Sequence, residues 1–245
     1  MVSGASLAEP YCGLSSADRW LTSWNLDPVV LGAIGVALVL TMRGDPRLRR
    51  QRLAGCGLMG LLWVSPLCAA SASLLSVRMA HHMITMLLLA PALALGWPKV
   101  RIGDPIGWAV LAALALTAWF VPAAYSFAWD WTAGYWLLQL AMLGTAWQFW
   151  ATWFDPATQT KPLVMTAAPA LLAMVMGFVG ALLTFAPRPL FAEHIFTTVL
   201  FDVSPLWDQQ LAGLVMWTTG MVPMVLLAFV HLRSVAIASA AGARG

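Results

Sequence analysis

The chain has 245 residues, 61% of them hydrophobic and only 9% charged, with 13 Lys or Arg against 10 Asp or Glu. An ordinary soluble domain carries about a quarter of its residues charged, so this balance excludes a soluble globule and reads as an integral membrane protein. The net charge of +3 is scattered between apolar runs and gives no footprint for nucleic acid.

The chain opens on a polar tail, residues 1–24, with Glu9, Asp18 and Arg19. It lacks a basic n-region and a cleavage site, so no removed signal peptide is read. Seven apolar runs follow, each near the roughly 20 residues that cross the hydrocarbon. The first, about 25–42, stops at RGDPRLRRQR, where Arg43, Arg47, Arg49, Arg50 and Arg52 crowd together. The second, about 53–70, ends near the small polar turn SASLLS. The third, about 77–96, is closed by Gly96 and Pro98, after which Lys99, Arg101 and Asp104 form a polar link. The fourth, about 106–125, ends in an aromatic loop, YSFAWDW, and the fifth, about 133–153, leads into FDPATQTK. The sixth covers 162–185, and the connection APRPLFAEHIFTTVLFDVSP precedes the seventh, about 206–232. Residues 233–245 form a C-terminal tail. The expected fold is all-α: a polytopic membrane protein with a bundle of seven transmembrane helices over 25–232.

Seven spans put the two termini on opposite sides. With the N-terminus outside and the C-terminus cytoplasmic, the inner segments hold ten of the 13 Lys and Arg, leaving Arg19, Arg78 and Arg188 outside. Cytoplasmic loops carry the basic excess, which favours this orientation of a multi-pass membrane protein. Trp63, Trp97, Trp129, Trp131, Trp153 and Trp207 fall near span ends, where indole rings anchor at the interface. Of the three cysteines, Cys12 and Cys68 fall on the outer side and Cys56 on the inner. They form no C-x-x-C pair and read first as small apolar residues, with a Cys12–Cys68 disulfide as the alternative in an oxidising compartment.

Ionisable groups in a spanning segment mark a functional site by default, and the third span carries His81 and His82. Met79, His82, Met83 and Met86 stand at i, i+3, i+4 and i+7, one face of a helix, while His81 turns away. An imidazole and three thioethers suit a soft metal such as Cu(I), although methionine also fills gaps in packed cores. The seventh span opens with SPLWDQQLAGLVMW. Ser204 and Pro205 make a helix start, and Asp208 falls where the helix dipole favours negative charge. Gln209, Gly213, Met216 and Gly220 recur on one face, a packing stripe of small residues under a polar head. Both polar-headed helices begin on the same side, so spans three and seven are expected to pack there. That would bring His82 and Met86 towards Asp208 or Met216, with the carboxylate fixing the tautomer of His82. His82 and His231 lie a membrane thickness apart and cannot share one haem.

Three stretches in this order resemble the CtaG-type cytochrome c oxidase assembly factors. HHMITMLLLAPALALGWP is similar to that family's His–Met helix, LLTFAPRPLF to its sixth-span exit, and DQQLAGLVMW to its Asp-Gln-Gln-x-x-Gly-x-x-Met-Trp signature. Asp208, Gln209, Gln210, Gly213, Met216 and Trp217 fit that signature position for position. His82 falls on the second histidine of the family's i, i+4 pair, but the first falls on Arg78, leaving Met79 or His194 as substitutes. The resemblance implies maturation of a haem-copper oxidase of the respiratory chain at the outer face, with copper as cofactor. Partners would be the bilayer and an oxidase subunit or another assembly factor, not nucleic acid. The candidate metal residues are therefore His82, Met79, Met83, Met86, His194, Asp208 and Met216. A transporter or channel for a metal ion or small solute is the second reading. An enzyme is not expected, since no paired acid and base or nucleophile elbow is visible.

Overall fold

The structure, a computed structural model, describes residues 9–97 and 102–242, with side chains to Arg233. Residues 1–8 of the expected N-terminal tail, Lys99 and Arg101 of the polar link, and residues 243–245 of the C-terminal tail lie outside the described residues. Among the described residues every regular element is helical. We number the helices α1 (Pro28–Arg43), α2 (Arg49–Trp63), α3 (Leu67–Ser73), α4 (Leu75–Gly96), α5 (Pro105–Ala118) and α6 (Pro122–Asp130). There follow α7 (Thr132–Trp153), α8 (Pro156–Gln159), α9 (Pro162–Phe185), α10 (Glu193–Thr197) and α11 (Pro205–Arg233, helical on to Gly242).

Local chemistry sets four of the helix starts. Asp27, Asp104, Asp155 and Ser204 accept backbone N–H bonds at the first turns of α1, α5, α8 and α11, each followed by a proline whose missing N–H costs nothing there. Prolines also make the breaks. Pro66 separates α2 from α3 with a bend of 44°, and Pro122 separates α5 from α6 with one of 73°. The stretch expected as an aromatic loop, YSFAWDW, is thus mostly the helix α6, folded over the end of the bundle. SASLLS is helical as far as Ser73, and only Leu74 is extended. Inside α4 and α11 the solution differs. Pro91 and Pro223 each follow a short π-helical turn, Thr85–Leu89 and Met216–Met221, which spares the carbonyl four residues back from the pyrrolidine ring.

Every predicted span corresponds to a helix or a bent pair, but they are not seven equal crossings. By length and composition α4, α9 and α11 can cross a membrane, and five crossings result when each bent pair counts as one. With 16 residues α1 reaches only about 24 Å, short of the hydrocarbon. α7 has the length, 22 residues, yet its aromatic and polar side chains keep it out of that apolar class.

α4 lies at the centre. Its apolar window is 61% buried, against 44% for α9 and 28% for α11, and it packs against α2, α7 and α11. At its C-terminal end Arg52 Nε donates to Gly96 O at 2.9 Å while the guanidinium covers Trp97. A cation there matches the exposed carbonyls and the dipole. We call this the arginine end.

At the opposite end the chain from Glu9 onward is stitched to the bundle. Cys12 and Cys68 form a disulfide, overturning their reading as plain apolar residues. Ser15 N donates to Ser73 Oγ at 2.9 Å, Ala17 N to Leu200 O at 3.0 Å, and Tyr11 Oη to Asp27 Oδ2 at 2.6 Å. The indoles expected at the interface divide. Trp131 and Trp207 are exposed, whereas Trp63, Trp129 and Trp153 are buried. The bends and the chain stitched above them draw Trp63 and Trp129 into aromatic clusters with His81 and Tyr125, while Trp153, at the other end, packs edge-on against His231.

Candidate functional site

The disulfide end gathers the polar residues that the sequence singles out. α4 begins without a capping side chain of its own, and an uncapped helix start buried away from water leaves N–H donors unmatched. Asp208 supplies the acceptor from α11. Its Oδ2 takes the Leu75 N–H at 2.6 Å, and its Oδ1 takes the Ser76 N–H at 3.2 Å and the Ser76 hydroxyl at 2.5 Å. The two helices therefore pack side by side at this end, as expected, but the carboxylate serves the backbone of α4 and not the His82 ring. Gln209, next in the chain, accepts from Leu190 N at 2.7 Å and lies 3.4 Å from Leu183 O and Arg188 O, pinning the exit from α9.

Further along α11 the small residues do what their spacing predicts. Gly213 is pressed against Gly180 and Thr184 of α9, and Gly220 against Met83 of α4. Three thioether side chains converge at the second of these points. A Cβ on Gly220 would lie 2.6 Å from Met83 Sδ, 3.2 Å from Met176 Sδ and 3.8 Å from Met216 Cγ. Met176, on α9, is absent from the sequence-read ligand set. Nothing in its apolar surroundings distinguishes it from a packing methionine until α9 is placed beside α4. The neighbouring π turns leave their mark too: Trp150 Nε1 donates to Met86 O at 2.8 Å.

His82 is 1% exposed and both ring nitrogens lack a hydrogen-bond partner among the described residues. Its ring lies against Trp119, with centroids 4.7 Å apart, and edge-on to Phe120. His81 is anchored differently, with Nε2 3.1 Å from Leu62 O. Met79 and Met86 are buried core residues. His194 does not substitute for the missing histidine. Its Nε2 is 2.5 Å from Tyr125 Oη and its Nδ1 is 3.4 Å from Ser73 O. Burial, reinforced by the Arg78 charge, pushes its pKa from 6.5 down to about 3.

The seven sequence-read ligands thus do not form one set. Asp208 is committed to the start of α4 and His194 to Tyr125. Met83 and Met216 meet at Gly220, and His82 turns to Trp119. No group of three or more His, Cys, Asp or Glu side chains gathers as a metal site among the described residues. Arg78 is the residue whose place the sequence does not foretell. Counted as a loop charge, it is in fact 5% exposed, between the rings of Trp119 and Tyr125.

The model of the cytochrome c oxidase caa3 assembly factor family matches residues 100–237, more than half of the chain. The match takes in LLTFAPRPLF and DQQLAGLVMW and begins after the His–Met helix. No curated protein and no solved structure matches.

Proposed function

The chain belongs to the cytochrome c oxidase caa3 assembly factor family, and on that premise we propose that it helps copper reach a metal centre of the oxidase, working as a membrane-integral factor at the outer face of a bacterial inner membrane. One observation carries the reading furthest. The signature acid Asp208 holds the start of α4, so the family signature orients the helix that bears the Met and His side chains. Copper is treated as cargo. Asp208 and His194, engaged elsewhere, drop out of the donor set, leaving Met83, Met176 and Met216 around Gly220, while His82 stands apart against Trp119. Thioethers favour Cu(I) over harder ions.

Two independent features support the outward orientation of the disulfide end. Disulfides persist in oxidising compartments, and the arginine end carries the basic loops expected on the cytoplasmic side. The client is an oxidase subunit or another assembly factor, and the family match favours this reading over the transporter.

The test is a deletion strain assayed for cytochrome c oxidase activity and for copper in the isolated oxidase. Both are expected to fall while copper-free oxidases keep working, and restoration by wild type but not by Met83→Leu/Met176→Leu would tie the defect to the thioethers. A copper-replete, fully active oxidase in the deletion strain would sink the proposal.

A further inference from the structure

The turn joining α1 to α2 is densely charged. Arg43, Arg47, Arg49, Arg50 and Arg52 fall within ten residues, and Asp45 is the only acidic residue between positions 28 and 103. Asp45 is already engaged, its Oδ1 accepting the Arg47 N–H at 2.9 Å. Arg52 is engaged too, through Gly96 O and the Trp97 ring. The other four arginines are exposed, and none lies within ion-pair distance of a carboxylate among the described residues.

These charges sit where the fold itself disfavours them. Arg49 and Arg50 open α2, the positive end of its dipole, with no acid in the first turn and no side chain capping it. The turn is also ordered. Leu48 N donates to Asp45 O at 3.1 Å, Asp45 caps the short helix Pro46–Leu48, and the Arg52 side chain is packed against Gly44. Like charges held on such a turn do not spread apart freely, and an anion among them relieves both the repulsion and the adverse dipole.

Depth in the membrane selects the anion. α1 exposes Leu31, Val36, Val39 and Leu40 and buries only Val30 and Thr41, so it lies against acyl chains. Its start is fixed, because Tyr11 Oη donates to Asp27 at 2.6 Å and Asn25 N to Val64 O at 3.0 Å. From there 16 residues reach about 24 Å, about 6 Å less than the hydrocarbon. The bent candidate span of α2 and α3 begins within the same turn, at Pro46. The turn is therefore drawn to the level of the lipid phosphates, where long arginine stems place their guanidiniums by snorkelling.

We propose that the turn from Arg43 to Arg50 is a binding site for anionic phospholipid, with headgroup phosphate held by the guanidiniums of Arg43, Arg47, Arg49 and Arg50. Guanidinium and phosphate pair in bidentate fashion, and a zwitterionic headgroup brings an ammonium that the cluster repels. The site is separate from the thioethers around Gly220, does not depend on copper handling, and holds in whichever leaflet the arginine end lies.

The test offers the purified full chain, in a neutral detergent, equal amounts of phosphatidylglycerol and phosphatidylcholine, and counts bound lipids by native mass spectrometry. Wild type is expected to retain phosphatidylglycerol in preference, and equal retention of both overturns the proposal. Arg47→Gln/Arg49→Gln/Arg50→Gln alters only exposed side chains. It should bind phosphatidylglycerol about a hundredfold more weakly, at about fivefold per arginine near an anionic lipid surface. Arg19→Gln/Arg188→Gln, at the disulfide end, should bind as wild type does, and an equal loss in both variants overturns the assignment to this turn. Excess glycerol phosphate, the headgroup chemistry without acyl chains, is expected to leave the lipid bound; displacement identifies a free-phosphate site and overturns the lipid. Should the triple variant fail to fold, wild type decides: its preference should shrink as ammonium acetate is raised, and a preference unmoved by salt overturns the proposal.

Discussion

Single residues at the disulfide end do two separable jobs. Asp208 replaces a missing helix cap, so Asp208→Ala is expected to cost about 2–3 kcal/mol, since a charge-assisted buried bond is lost and two backbone donors are stranded. Thermal unfolding in detergent measures it, and a variant as stable as wild type would show that water can take over the cap. His194 makes a pH prediction. Its folded pKa, near 3, lies below the unfolded value of 6.5, so only the unfolded chain takes up a proton between them. Its contribution to stability is therefore full above pH 6.5, declines as pH falls, and levels off near 3. The Tm of His194→Gln should fall less than that of wild type between pH 7 and 4, and parallel curves would refute the assignment.

Elements meet through glycine, and the two close approaches differ in what stands opposite. Across from Gly213 are the backbone of Gly180 and Thr184, which cannot retreat without moving α9. Across from Gly220 are the flexible ends of Met83 and Met176. Gly213→Ala is thus expected to cost about 1–3 kcal/mol and Gly220→Ala distinctly less, compared by Tm in one detergent. The reverse order would mean that the thioethers are held rigidly. This stripe was legible in the sequence because period and residue size alone define it. So was the helix start at Ser204 and Pro205, which is a local signal. The partner of Asp208 was not legible, because the acceptor needed by Leu75 and Ser76 comes from the far end of the chain. Arg78 was misplaced for a related reason: a charge near a span end looks like a loop charge until Trp119 and Tyr125 are seen to enclose it. The buried Trp63 and Trp129 escaped notice because the bends at Pro66 and Pro122 fold span ends inward, and hydropathy does not register direction.

At the scale of the whole molecule, the basic loops and the disulfide argue for one orientation. Reporter fusions after Arg52 and after Trp131 should give signals from opposite sides of the membrane, the first cytoplasmic. Signals from the same side would break the proposed topology. α4 is held at its start by Asp208 of α11 and at its finish by Arg52 of α2. The ribosome makes the second of these partners before α4 and the first only after almost everything else. A nascent chain released before α11 therefore has its central helix anchored at one end and open at the other. Completion of the last helix is what closes the interior, so truncation from the C-terminal side should leave α4 exposed to the quality-control proteases of the membrane.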